Sequence, residues 1–264
     1  NAVRENLSAR LQTSSNALEA LRADLPGLVA QAEGLTRLNR RLAALVAATE
    51  GLRTLLLVDV NGIALASNRP ELIGKNFREQ ERYQTMSRDA NPDRLYVSAP
   101  FKTPLGIWAM SLGRVILDDQ GRFNGYLLAI LDPDYFRLLI NSTLYAPDMR
   151  VSLIHGEGKV VFRAPDPEGL TGQDVLAQPH SFFRRFRDSG AEQLVLEGPT
   201  AAPGGARLAA LQAIRPRETI ADQPLVVITS RDLAAVLAPW WQETRVRLAL
   251  FALIALVAAI GLGA

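Results

Sequence analysis

The sequence predicts an α+β protein with a long N-terminal helix, two tandem five-stranded antiparallel sheets and a C-terminal membrane-spanning helix. Three observations carry that prediction. Residues 1–49 repeat apolar side chains at spacings of three and four, and from Leu52 the repeat falls to two. Turn landmarks then recur at nearly one offset, as in an internal duplication: Gly62 and Gly158 are 96 residues apart, Gly74 and Gly172 are 98, and Asp132 and Ser230 are 98. From Val246 the chain reads VRLALFALIALVAAIGLGA with Arg247 its only charge. About 20 apolar residues let a helix cross a hydrocarbon core while satisfying its own backbone.

In the first segment Leu11, Leu18, Leu21, Leu25, Leu28, Ala32, Leu35, Leu42 and Val46 approximate a heptad seam, interrupted by Ser14 and Asn39. Such a seam serves packing on the chain's own domain, a homodimer contact, or both. Pro26-Gly27 should kink or split the helix near Leu25. Residues 55–59 and 63–67 flank Val60-Asn61-Gly62, and Asn-Gly is the pair a type I′ hairpin turn prefers. Short helices to about Arg88 lead to strands at 96–101, 107–116 and 122–132, the last two joined by Asp118-Asp119-Gln120-Gly121. Asp132-Pro133 opens a helix, with Asp as cap and Phe136, Leu139, Ile140 and Leu144 on its core side.

The same order then repeats. A hairpin turns at His155-Gly156-Glu157-Gly158, a short helix covers 182–186, and strands follow at 193–197, 207–214 and 224–229. A helix from Ser230 carries Pro239, an expected kink, and Trp240-Trp241 at the level of a membrane interface. The chain therefore divides into a helix at 1–49, a membrane-distal unit at 50–147, a membrane-proximal unit at 148–230, an exit helix at 231–243 and a span at 244–264. Each unit has a PAS-like shape. The chain starts at Asn1 and stops with the apolar run, so it is expected to be an excerpt, with an earlier membrane segment before residue 1 and a cytoplasmic part after Ala264.

Composition narrows the function. A net charge of +2 is too small to argue for nucleic acid despite a pI near 9.1. With no cysteine, neither a disulfide framework nor a thiolate metal site can form. No nucleophile elbow, phosphate-cradling loop or helical metal-binding pair occurs. The two histidines, His155 in a turn and His180 after Pro179, are expected to be exposed. No catalytic residue, metal or cofactor is expected.

The chain resembles the double Cache sensor domains, on the phrases LLLVDVNGIALASN, LIGKNF, RLYVSAPF, WAMSLGRVILDDQGRFNGYLLAILDPDYF and VSLIHGEGKVVFRAP. The resemblance covers roughly residues 1–243. It implies the periplasmic part of an inner-membrane receptor that binds a small molecule in its distal unit, with a diguanylate cyclase or, next, a histidine kinase as cytoplasmic output. Amino-acid-binding members carry Arg-x-Trp-Tyr, then Tyr-x-Asp, then an Asp ending the last strand. Here Gln80 stands where that Arg is expected, Tyr96-Val97-Ser98 replaces the Asp by Ser, and Asp132 matches the final Asp. Two departures among the groups that clamp the ligand count against an amino acid.

Strand alternation gives an independent view of the pocket. Trp108, Met110, Leu112 and Arg114 share one face of their strand, and Tyr126, Leu128, Ile130 and Asp132 one face of the next. An apolar wall with an Arg and an Asp near its ends suits a small polar or anionic metabolite. The same residues would serve equally as core, with Asp132 as a helix cap. Arg82 and Tyr83 lie on the segment that lines the pocket in the resembling family. The candidate ligand-binding set is thus Arg82, Tyr83, Tyr96, Ser98, Trp108, Met110, Arg114, Tyr126 and Asp132. The competing reading is a membrane-anchored structural or protein-interaction module without a small ligand.

Overall fold

The computed structural model describes residues 2–29, 33–103, 106–167, 169–199, 205–214 and 220–263. Helix α1 (Ala2–Val29) and helix α2 (Gly34–Ala48) form the N-terminal segment. The break lies later than Pro26 predicts. Pro26 falls inside the last turn of α1, and α2 begins only after Glu33 at φ 59. A Cβ at Gly34 would lie 2.3 Å from the Leu28 carbonyl oxygen, so only glycine permits this close return. Arg41 on α2 pairs with Asp24 on α1.

The chain then forms β1 (Leu52–Asp59), β2 (Ala64–Ser67), α3 (Glu81–Arg88), β3 (Arg94–Val97), β4 (Phe101–Lys102), β5 (Trp108–Leu117), β6 (Phe123–Leu131) and α4 (Pro133–Asn141). There follow β7 (Arg150–His155), β8 (Val160–Ala164), α5 (Phe182–Ser189), β9 (Gln193–Gly198), β10 (Arg207–Ile214), β11 (Ile220–Ala221), β12 (Leu225–Asp232) and α6 (Leu233–Gly263). Two sheets result. The second is antiparallel in the order β8-β7-β12-β10-β9. The first runs β11-β3-β5-β6-β1-β2 with β4 on β5, seven strands rather than the five expected. The additions are the short β4 and β11, and β11 comes from the other half of the chain. It pairs parallel to β3 through Ile220–Arg94 and Ala221–Leu95, covering an edge that would otherwise be open.

The hairpin at Asn61-Gly62 is not a type I′ turn. Among the described residues only Glu33 and His180 are non-glycines at positive φ, so Asn61 does not meet that requirement. Instead the Gly62 N–H donates to the Asp59 carbonyl, with Gly62 at φ 85. His155 to Gly158 and Asp118 to Gly121 close in the same way. The two hairpins also repeat in what they carry: Ile63 bridges Asn76 as Lys159 bridges Asp174, and Gly74 donates to Ala64 as Gly172 donates to Val160.

One apolar core joins both sheets to the N-terminal helices. Leu7, Leu11, Leu18, Leu21 and Leu25 of α1 and Leu38 and Leu42 of α2 pack with Met110 and Leu112 of the first sheet and Leu153, Phe162 and Val227 of the second. The seam is therefore spent largely on the chain's own core, although Leu35 is exposed. Phe136 and Ile140 of α4 enter the same core, and the Leu139 side chain lies outside the described residues. His155, expected at the surface, is 1% exposed, because its hairpin tip points at the first sheet.

Helix α6 starts at the residue after β12 and continues through Pro239 without a break. Trp240, Trp241, Leu248, Leu250 and Phe251 are exposed along it. The span expected at 244–264 is not found: no helix of the described residues is long and apolar enough to cross a membrane. Several side chains from Leu256 on fall outside the described residues.

Candidate functional site

A cavity of about 830 Å³ opens on the first sheet, on the face away from α1. Leu56 of β1, Ser111 of β5 and Leu128 and Ile130 of β6 form its floor. Helix α3 and the segment before it supply Phe77, Gln80, Arg82 and Met86, and Phe101 and Lys102 close one side. The opposite rim belongs to the second half of the chain: His155, Glu157, Lys159, Asp222 and Gln223.

Arg82 is the notable charge. Its guanidinium stacks over Phe101 at 4.4 Å and lies 5.8 Å from the Phe77 ring centre. Its Nε is buried and has no hydrogen-bond partner among the described residues, and the buried Tyr126 hydroxyl is its polar neighbour, near enough to interact with the guanidinium though not in full hydrogen-bond geometry. Burial lowers the Arg82 pKa from its ordinary value, with the neighbouring Tyr126 opposing that shift. Burial pushes the Tyr126 hydroxyl up to about 12, with Arg82 pulling the other way. Both groups keep their usual forms at neutral pH, a cation and a neutral phenol. A buried cation over aromatic faces, with donors left over, is arranged to take an anion.

Asp222 anchors the far rim. Its Oδ1 accepts from the Val97 N–H at 2.7 Å and from the Gln223 N–H at 2.8 Å. Its own N–H donates to the Leu95 carbonyl. His155 Nε2 sits 3.0 Å from the Val97 carbonyl oxygen, and its Nδ1 is 3.7 Å from Glu157. Burial raises the Asp222 pKa, while the two N–H donors, His155 and Arg94 act in the other direction. No signal in residues 215–223 points to this role, because a two-residue strand is too short to leave a periodicity.

The predicted residues divide. Arg82, Tyr96 and Ser98 line the cavity. The Tyr96 hydroxyl is committed to the Asp89 carbonyl and the Asn91 N–H, and Ser98 Oγ accepts from the Ser111 N–H at 2.9 Å. Tyr83 is core beneath the cavity, its hydroxyl donating to the Val60 carbonyl at 2.6 Å and its ring edge-on to Phe123 and Tyr126. Tyr126 is fully buried behind Arg82 and is not itself part of the lining.

Trp108, Met110, Arg114 and Asp132 are not on the lining. Cross-strand partners share a face, and the register pairs Ser111 with Ile130, Gly113 with Leu128 and Val115 with Tyr126. The Met110–Leu112–Arg114 set is thus one residue out of phase with the cavity and faces α1. There Arg114 donates to Ser15 Oγ at 3.0 Å and to the Pro92 carbonyl at 3.3 Å, 3.8 Å from Glu19. Trp108 packs on Gly172 of the second half, where an added Cβ would lie 1.9 Å from its ring. Asp132 lies past the end of β6, its N–H donating to the Gly51 carbonyl at 2.9 Å.

No family model matches the sequence, and no curated protein matches it. Solved structures do match in fold. The extracellular domain of rpHK1S-Z16, described as a histidine kinase, superposes with a TM-score of 0.73 at 19% identity, covering 90% of this chain and 93% of that one. The ligand-binding domain of the Pseudomonas aeruginosa amino acid chemoreceptor PctC, solved with GABA, gives 0.64 at 17% identity over 88% and 95%. The periplasmic sensory domain of the Campylobacter jejuni chemoreceptor Tlp1 gives 0.64 at 14% over 89% and 94%. These neighbours are sensory and ligand-binding domains rather than enzymes. The chain shares its fold with these sensory and ligand-binding domains.

Proposed function

We propose that this chain is the extracytoplasmic sensor of a transmembrane receptor and that its ligand is a small organic anion with an apolar body. The single observation that supports the reading most is Arg82. A buried guanidinium with an unpartnered Nε, set over Phe77 and Phe101, costs free energy when empty and is repaid by a carboxylate. Leu56, Leu128 and Ile130 would take the ligand's carbon skeleton. A purely structural module would have no use for a cavity of this size or for a cation held in it.

Titration calorimetry against a panel of small carboxylates and their uncharged amides tests this. A carboxylate should bind and its amide should not. Arg82→Gln should weaken that binding roughly 10- to 100-fold, the range of a lost hydrogen bond to a charged group. Equal affinity for acid and amide, or unchanged affinity in the variant, would overturn the reading.

Tethering to a bilayer is the second part of the proposal. Its support is the apolar run from Val246, the exposed Trp240-Trp241 pair and the direct passage of β12 into α6. The chain should float with lipid vesicles, and a version ending at residue 243 should stay in the aqueous fraction. A truncated form that still floats would remove this part. The output to which α6 would lead, a diguanylate cyclase or a histidine kinase, rests on the sequence resemblance.

A further inference from the structure

The second sheet carries a cavity of its own. It measures about 100 Å³ and lies between the sheet face and the first turn of α5. Its position repeats that of the first cavity, which lies between the first sheet and the start of α3. The repeat extends to the strands, since the cross-strand pair Ser152 of β7 and Ile228 of β12 lines it where the pair Leu56 and Leu128 lines the other.

Its polar lining differs. Arg207, Arg163 and His180 contribute basic groups, and Ser152 and Ser230 hydroxyls. Arg207 is 7% exposed. Its Nε donates to Ser230 Oγ at 3.2 Å, and its Nη2 donates to the carbonyls of Asp148 at 2.5 Å and Ser230 at 3.1 Å. Two acidic residues lie close to Arg207. The Asp148 carboxylate is held by Arg231 at 2.9 and 3.0 Å, and Asp232 Oδ1 accepts from the Ala234 N–H. Burial lowers the Arg207 pKa, with Arg150 and Arg163 pressing the same way and Asp232 and Asp148 opposing. Arg207 and Arg163 thus line a small space at the start of a helix, where backbone N–H groups also favour negative charge. His180 adds backbone strain, a non-glycine at φ 56 beside the cavity.

We propose that this second cavity is a binding site for a small oxyanion, a short carboxylate or inorganic phosphate, separate from the site at Arg82. About 100 Å³ admits such an ion and excludes a larger metabolite. The site adjoins the root of α6, because Arg207 and Arg231 both hold Asp148. An anion there would act next to the exit helix rather than through the first cavity.

The test titrates the whole chain with acetate and with phosphate at constant ionic strength, using chloride as the balancing salt. At least one should raise the melting temperature saturably, as a ligand of the folded state does. Arg82→Gln should keep that response. Arg163→Gln, which removes a lining charge, and Ser152→Leu, which fills the cavity, should each weaken it at least 10-fold. Hydrogen exchange on the unaltered chain gives a readout free of variants, with slowed exchange expected at 178–183. Three results would overturn the proposal: no saturable response to either anion, a response lost only in Arg82→Gln, or anion protection confined to the first sheet.

Discussion

At the residue scale, the two halves of the first cavity's rim have opposite electrostatic characters. Arg82 is a cation short of partners, whereas Asp222 is an anion with its partners supplied by the backbone of β3. The raised pKa of Asp222 has a consequence for stability. A carboxyl whose folded pKa lies above its unfolded value stabilises the fold when protonated, and that contribution is lost as pH rises through the folded pKa. Wild-type stability should therefore decline from the ordinary aspartate range upward by this group's contribution. Asp222→Asn keeps an Oδ1 acceptor for Val97 and Gln223 but carries no charge, so its denaturant midpoint should lose that decline. Parallel pH profiles of the two proteins would show the assignment to be wrong.

At the element scale, α1 owes its seat on the first sheet to a polar cluster as well as to leucines. Arg114 of β5 reaches Ser15, Arg22 reaches the Pro92 carbonyl at 3.0 Å, and Glu19 lies within reach of both arginines. Ser15 is fully buried and Arg114 nearly so, so removing the guanidinium takes a donor out of an interior polar cluster. Arg114→Ala should cost about 1–3 kcal/mol in chemical denaturation. Ligand affinity at the cavity should not change, because Arg114 is on the opposite face of the sheet. A loss of affinity with normal stability would return Arg114 to the binding site.

At the scale of the whole molecule, the two sheets share one interior. The core cluster runs from Leu7 of α1 through Leu127 and Leu131 of β6 to Val151 and Leu225 of the second sheet. Three further links cross between the halves: β11 on β3, His155 on the Val97 carbonyl and Trp108 on Gly172. Units joined this way should not melt separately. Calorimetry should give one transition whose van't Hoff and calorimetric enthalpies agree, and residues 148–230 alone should not fold. Two resolved transitions would mean that the shared core contributes little. The same links have a functional reading, since a ligand touching both rims would bear directly on the half that continues into α6.

Much of this protein was determined by local sequence. Helical periodicity before Leu52, strand periodicity after it and the recurring glycines are signals that each segment carries by itself, and they place both hairpins and nearly every long strand. Arg82, Tyr96 and Ser98 were legible from the resemblance, because they sit on the segments that face the pocket. Tertiary structure alone decided the rest. Alternation says which residues share a face but not which face meets α1, so by itself it allows Met110 and Arg114 in the cavity, whereas cross-strand register turns Ser111 toward it instead. Nothing local could reveal that Asp222 and His155 complete a cavity built on strands some sixty or more residues away. That depends on how the second half docks, and docking is set by the common core and by an open strand edge, which are properties of the assembled chain.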